Sequence, residues 1–338
     1  MGCRRWWVAV RRAALVAATV LLSASCSSGD STVSVSSSAS SSPSSSGTTT
    51  PSSSATPFPQ PRTQQAEVPL PEPREETAAA ALHERLYVIG GFDAGGSDTD
   101  SVFVFGGAVW TRGPRLPVAV DHASAAVLGD RLYVIGGSTP MGASTAAFVL
   151  SSSGDAWQRI TPLGHARIAP ALVATSGRLY AIGGRDGLVE VGPAEVYDPE
   201  SARWRDLPPL PLPRDHVSGF VDQGMPCVAG GRSPNTTRVD CFDSAAAQWR
   251  SLPPLPRPTS GAGGVTLAGT VIVAGGEDAV ESVIVDQVAR FADGSWSLDS
   301  MLVPRHGFQL AVLGGRAWAC GGGDHPGLHP VATCTSIT

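Results

Sequence analysis

RLYVIGG at residues 85–91 returns as RLYVIGG at 131–137 and as RLYAIGG at 178–184. Looser copies follow: MPCVAGG at 225–231, TVIVAGG at 270–276 and RAWACGG at 316–322. The first glycines of the six pairs, Gly90, Gly136, Gly183, Gly230, Gly275 and Gly321, stand 46, 47, 47, 45 and 46 residues apart. A fixed period of this length means one supersecondary unit stacked repeatedly, and it sets the frame for the rest of the chain.

Each unit holds a short apolar run, a tight turn such as Leu128-Gly129-Asp130 or Thr175-Ser176-Gly177, and a second apolar run ending in Gly-Gly. A variable loop and a third run come next, as in Glu195-Val196-Tyr197-Asp198, and a tryptophan opens a fourth. The tryptophans Trp110, Trp157, Trp204, Trp249 and Trp296 keep spacings of 47, 47, 45 and 47. Four short strands per unit, paired glycines and a phased aromatic describe a propeller blade. In these features the residues from about Pro61 to Thr338 resemble the kelch-repeat family, which implies an all-β, six-bladed propeller.

The glycines are expected where blades crowd and a Cβ has no room. The tryptophans and the tyrosines Tyr87, Tyr133, Tyr180 and Tyr197 are expected to pack the core. The sixth unit lacks the phased tryptophan and the fourth strand that it opens. Residues 67–74, ahead of the first Gly-Gly, align with 206–214, and Gln64 falls where Trp204 would. The segment near Gln64 to Val68 is therefore expected to pair with the C-terminal strand and close the ring, hiding both edges.

The chain has 338 residues and 24 basic ones, all arginine. That excludes a Schiff-base or P-loop lysine. Without Arg4, Arg5, Arg11 and Arg12 the balance is 20 − 29 = −9. Such a chain offers no basic field for nucleic acid.

Residues 1–25 read as an export signal: early arginines, the apolar run 13–22, too short to span a bilayer, and small residues before Cys26. Leu21-Leu22-Ser23-Ala24-Ser25-Cys26 resembles the lipobox of bacterial lipoproteins, with Ser23 where that family prefers an aliphatic residue. The resemblance implies lipidation at Cys26; cleavage after Ser25 to a secreted form is the alternative. Residues 26–61 are almost wholly Ser, Thr, Pro and Gly, the composition of a disordered tether. The organisation expected is thus signal 1–25, tether 26–61 and propeller 62–338, monomeric, in the bacterial cell envelope and touching membrane only through the lipid, or secreted.

Cys227 and Cys241 lie 14 residues apart, as do Cys320 and Cys334. In each pair the first falls on the second strand of a blade and the other on the antiparallel third. In an exported protein this favours two disulfides over four buried thiols.

The loops joining strands two to three and four to one share one end of every blade, where variable loops over a rigid scaffold place function. Sixteen residues before each first glycine stand Arg74, Val120, Arg167, Arg214, Thr259 and Arg305. Two further on come Glu76, His122, Ala169, His216, Gly261 and Gly307, with His306 offset by one. Arg185 and Arg232 follow the glycine pairs. Arginines and histidines at one mouth are candidates for binding a carboxylate or sugar acid, or, for the arginines, for tying blades together. Asp324, His325 and His329 have metal-ligand side chains, but Gly323, Pro326 and Gly327 keep that loop from being a helix; no metal and no cofactor is expected. The tyrosines are committed to the core, and no GxSxG or HExxH occurs. The reading is a binding module for a protein, peptide or glycan, with no catalysis required. Resemblance to six-bladed kelch sialate mutarotases implies the alternative of a sugar epimerase or mutarotase, and a plain envelope scaffold is the third.

Overall fold

The structure is a computed structural model and describes residues 63–280 and 282–338. The expected signal at 1–25, the tether at 26–61 and the lipidated Cys26 lie outside the described residues.

Six four-stranded antiparallel sheets form the blades of a propeller. Their innermost strands are Ala78–Leu82, Ser124–Leu128, Ala171–Thr175, Ser218–Asp222, Gly263–Leu267 and Leu310–Leu313, here blades I to VI. These strands are rich in Ala and Gly because six of them converge on one axis. In five blades the turn to the second strand has both central residues at positive φ, as in Ser176 (50°) and Gly177 (73°), matching the twist of the strands it joins. Blade I makes this turn without glycine, through His83 and Glu84 (49° and 59°).

The hydrophobic core is divided into six sectors, one between each pair of neighbouring blades. The second strands are buried on both faces, and Tyr87, Tyr133, Tyr180 and Tyr197 lie within these sectors. The indoles of the five phased tryptophans each donate to a carbonyl of the preceding blade: Trp110 to Val68, Trp157 to Pro114, Trp204 to Thr161, Trp249 to Pro208 and Trp296 to Pro253, at 2.8–3.0 Å.

The ring closes as expected. Gln64–Glu67 forms the fourth strand of blade VI, with Gln64 opposite Ile337 and Glu67 opposite Cys334. Disulfides join Cys227 to Cys241 and Cys320 to Cys334 across facing strands. Among the described residues no helix is long and apolar enough to cross a membrane.

The Gly-Gly pairs explain the sixteen-residue column. In all six blades the second glycine N–H donates to the carbonyl of the column residue of the next blade: Gly91 to Val120, Gly137 to Arg167, and so on round to Gly322 and Arg74, at 2.7–3.0 Å. A Cβ on Gly136 would stand 2.7 Å from the Arg167 carbonyl oxygen. The first glycine's own carbonyl accepts from the column side chain of the same blade: Arg167 Nη1 to Gly183 at 2.7 Å, Arg214 Nε to Gly230 at 2.6 Å, Thr259 Oγ1 to Gly275 at 2.8 Å and Arg305 Nη1 to Gly321 at 2.8 Å.

Candidate functional site at the channel mouth

Four arginines read as mouth-lining candidates are turned away from the mouth. Arg74, Arg167, Arg214 and Arg305 are at most 3% exposed. Arg167 pairs with Glu195 at 2.9 Å and Arg214 with Asp240 at 3.0 Å. Arg305 is spent on the carbonyls of Gly321 and Thr333, and Arg74 on Glu72 and Ser101. The column has the right phase, but a guanidinium beside a bare Gly-Gly carbonyl gains more by satisfying it than by reaching for the axis. Of the two roles open to these side chains the structural one holds, with a difference: side chains bind their own blade, and backbone carbonyls bind the neighbour.

The next column does line the mouth. Glu76, His122, Ala169 and His216 share a φ of 53°, and Gly261 and Gly307 stand at 65° and 64°. Backbone bonds run from each to the last: His122 N to Glu76 O, Ala169 N to His122 O, His216 N to Ala169 O, Gly261 N to His216 O and Gly307 N to Gly261 O, at 2.8–3.0 Å, with Thr77 N to Gly307 O at 3.3 Å completing the circle. Where blades III, V and VI offer small residues, blades I, II and IV offer a carboxylate and two imidazoles in a left-handed conformation that side chains ordinarily avoid.

Both imidazoles are oriented by the residue before them. His122 Nδ1 meets the Asp121 carboxylate, and His216 Nδ1 lies 2.9 Å from Asp215 Oδ1. This leaves each Nε2 for the mouth: that of His122 is 3.4 Å from Glu76 Oε2, and that of His216 is 2.9 Å from Arg232 Nη2. Arg232 also reaches Asp215 and Glu277, and Arg185 Nε lies 3.2 Å from Asp215 Oδ2. His306 sits 3.3 Å from Glu75 Oε1 and 3.9 Å from Glu76 Oε1. The loop of His325 and His329 acts here through its backbone, with His325 O against His306 Nε2 and His329 N donating to Glu75 Oε2. The structure thus gathers His122, His216, His306, Arg185 and Arg232 from the candidates. It adds Glu75, Asp121, Asp215 and Glu277, which the reading missed. The recurring Asp-His doublet at 121–122 and 215–216, in the same phase of the repeat, was the available signal.

Burial opposes the charged form of Glu76, but His122, His216, His306 and Arg232 outweigh it and hold its carboxyl down at about 2. Burial pushes Glu75 up to about 7, with Glu76 adding to the rise against His306, the His329 N–H and His122. At His216 burial prevails and lowers the pKa; at His122 burial is outweighed by Glu76 and Asp121, and the pKa rises. One ligand atom each of Glu76, His122 and His216 lie within 4.8 Å of one another, and the same holds for Glu75, Glu76 and His306.

Below the ring is a cavity of about 60 Å³ whose floor includes Gln309. The Gln309 amide spans three blades, accepting from Ala79 N and Ala125 N and donating to Ser124 Oγ and Ala125 O at 3.0–3.1 Å. Beyond it the channel widens to about 300 Å³ lined by Ala, Val and Leu. Above the ring the loops between strands two and three rise on the same side, since each post-glycine residue bridges to the stretch before the ring, as in Asp121 with Ser138 and Asp215 with Arg232. Their tips are apolar: Met141 is 97% exposed, Leu188 94%, Val189 70% and Val280 79%.

The Kelch motif matches residues 73–117, 121–164 and 166–211, the stretches that form blades I to III. It is 39% identical over 79 residues to Kelch-like protein 33 of Homo sapiens, covering 23% of this chain and 15% of that protein. With Kelch-like protein 35 of Mus musculus it shares 32% over 102 residues, covering 29% of this chain and 18% of the relative. The chain thus spans less than a fifth of the length of these two curated relatives. The solved structure titled "Structure of YjhT" superposes with a TM-score of 0.69 at 15% identity, over 80% of this chain and 96% of that one. At that identity the likeness is one of fold.

Proposed function

We propose that this kelch-repeat propeller is an exported binding module whose loop face docks a polypeptide. The observation that carries the reading is the set of exposed aliphatic tips on the loops of blades II, III and V, Met141, Leu188, Val189 and Val280, on the side of the charged mouth. Exposed aliphatic side chains on one face offer a protein contact its apolar anchors, and a flexible Met suits an adaptable one. A glycan is less well served, because sugar faces stack on flat rings. None of the exposed large hydrophobic residues among those described is aromatic. Kelch repeats in the relatives named above support a binding role in general terms. The enzymatic alternative called for an arginine with an acid or histidine at the mouth; Arg214 is sealed inside blade IV, and Arg185 and Arg232 are the arginines left to it.

In this reading the signal at 1–25 exports the chain, Cys26 carries the lipid and 26–61 holds a monomeric propeller clear of the envelope membrane. The two disulfides are consistent with an extracytoplasmic setting.

The test is photo-cross-linking in the native cell. A photoreactive residue is placed at Met141, Leu188 or Val280, with Glu200 and Ala246 at the opposite end as controls. The same protease-sensitive adduct from the three loop positions and from neither control is expected. Equal adducts from both ends, or a protease-resistant glycan adduct, refutes polypeptide docking.

A further inference from the structure

We propose that the channel mouth is a binding site for a divalent first-row transition ion of the zinc type, held by His122 Nε2, His216 Nε2 and a Glu76 carboxylate oxygen.

The donor set comes first. Two imidazoles and one carboxylate are a recurrent set for such ions, and three protein ligands leave a fourth position open. Ligand atoms about 2.0–2.1 Å from a tetrahedral zinc stand about 3.4 Å from each other. His122 Nε2 and Glu76 Oε2 are 3.4 Å apart, and all three ligand atoms lie within 4.8 Å of one another. The Glu76–His122 edge already has the length that a tetrahedral ion requires, and His216 stands within 4.8 Å of both.

The surroundings match. A metal-bound histidine ordinarily gives its other nitrogen to a carboxylate, which fixes tautomer and ring plane. Both histidines here do so at Nδ1, to Asp121 and Asp215. This Asp-His unit recurs at the same phase of the repeat in blades II and IV. The mouth is also short of positive charge: Glu76, Asp121, Asp215 and Glu277 face two guanidiniums, Arg185 and Arg232, while Glu75 is paired with His306. Four carboxylates with two fixed cations favour a further cation. The cavity beneath the ring, about 60 Å³, gives room for an ion and a water.

Arg232 is the competitor, since its Nη2 donates to His216 Nε2 at 2.9 Å. The ion takes that lone pair, and Arg232 keeps Glu277 and Asp215 as partners. The fourth position is left to a water in the cavity beneath the ring, and the ion is titrated with no polypeptide present.

The experiment uses the full chain, stripped with chelator and titrated with Zn²⁺ by calorimetry and with Co²⁺ by visible absorption. One Zn²⁺ per chain and a tetrahedral cobalt band are expected. His122→Ala and His216→Ala are each expected to weaken binding by at least about tenfold, and Asp121→Asn or Asp215→Asn by about 10–100-fold. The alanine variants keep the backbone, because Ala169 already holds the same column position at the same φ of 53°; an unchanged melting curve verifies this. His325→Ala/His329→Ala is expected to bind as the parent does. No heat and no cobalt band at a large excess of metal overturns the proposal, leaving a proton shared among Glu76, His122 and Asp121. Undiminished one-to-one binding in His122→Ala/His216→Ala overturns it as well.

Discussion

Gln64 occupies in blade VI the place that tryptophan occupies in the other five, and its Nε2 donates to Ser300 O of blade V at 2.7 Å while its Oε1 accepts from Leu302 N at 2.8 Å. An amide thus does with two bonds what each indole does with one bond and a ring packed against the blade core. Blade VI is therefore latched to its neighbour by polar contacts and a borrowed strand. Gln64→Ala is expected to cost about 1–2 kcal/mol, two ordinary hydrogen bonds. Removing residues 61–70 is expected to lower the melting temperature far more, because the edge of Cys334–Ile337 is then bare. Calorimetric melting of both variants checks this, and an unchanged midpoint in the truncation rules out the closure.

Arg214 and Asp240 are both fully buried and 3.0 Å apart. Arg214→Ala leaves an acid inside the blade and is expected to cost about 3–5 kcal/mol in urea unfolding. Adding Asp240→Leu should restore part of the loss, although Arg238 and Ser251 also lose a partner. No restoration would mean that the cost comes from the Gly230 carbonyl and not from the ion pair.

The two disulfides close loops of equal length, so chain entropy assigns each about 3 kcal/mol. They differ in what they hold. Cys320–Cys334 clamps the strand on which Gln64–Glu67 pairs, whereas Cys227–Cys241 lies within a blade made from one continuous segment. Replacing both cysteines of a pair by serine is expected to lower the melting temperature in either case. Only the 320/334 variant should lose amide-exchange protection at 64–67; equal losses in the two variants would contradict this.

Glu190 is pushed up from 4.5 to about 7, by burial and by Asp215, against Arg185, the Ser233 hydroxyl and Arg232. Between those values the folded chain keeps a proton that the unfolded chain has lost. Its contribution to stability therefore falls as pH rises from about 4.5 to 7 and stays low above that. Glu190→Gln is expected to match the parent near pH 4 and to melt higher at pH 8. A gain that is equal at both pH values would assign the effect to something other than this carboxyl.

The blade count, the borrowed strand and the cysteine pairs were legible because a repeat is a ruler: equal spacing from the glycines places residues on facing strands without further assumption. Gln64 could be found by phase alone. The ruler gives position along the chain and says little about where a long side chain turns. Arg167 and Arg214 share a column with Thr259, and all three bind the glycine carbonyl sixteen residues on, an acceptor that becomes visible only once the Gly-Gly backbone is folded. His122 and His216 were found because short side chains on a tight ring have few directions available. Asp121 and Asp215 were overlooked because the residue before a ring position reads as loop until its carboxylate is seen on the imidazole beside it.

Gln309 gives the axis its last property. By stretching from blade VI across blade I to blade II, it parts a small charged basin from a wider aliphatic one. The propeller's centre is therefore two cups set base to base and not a bore. The Gln309 amide is the wall that the two cups share.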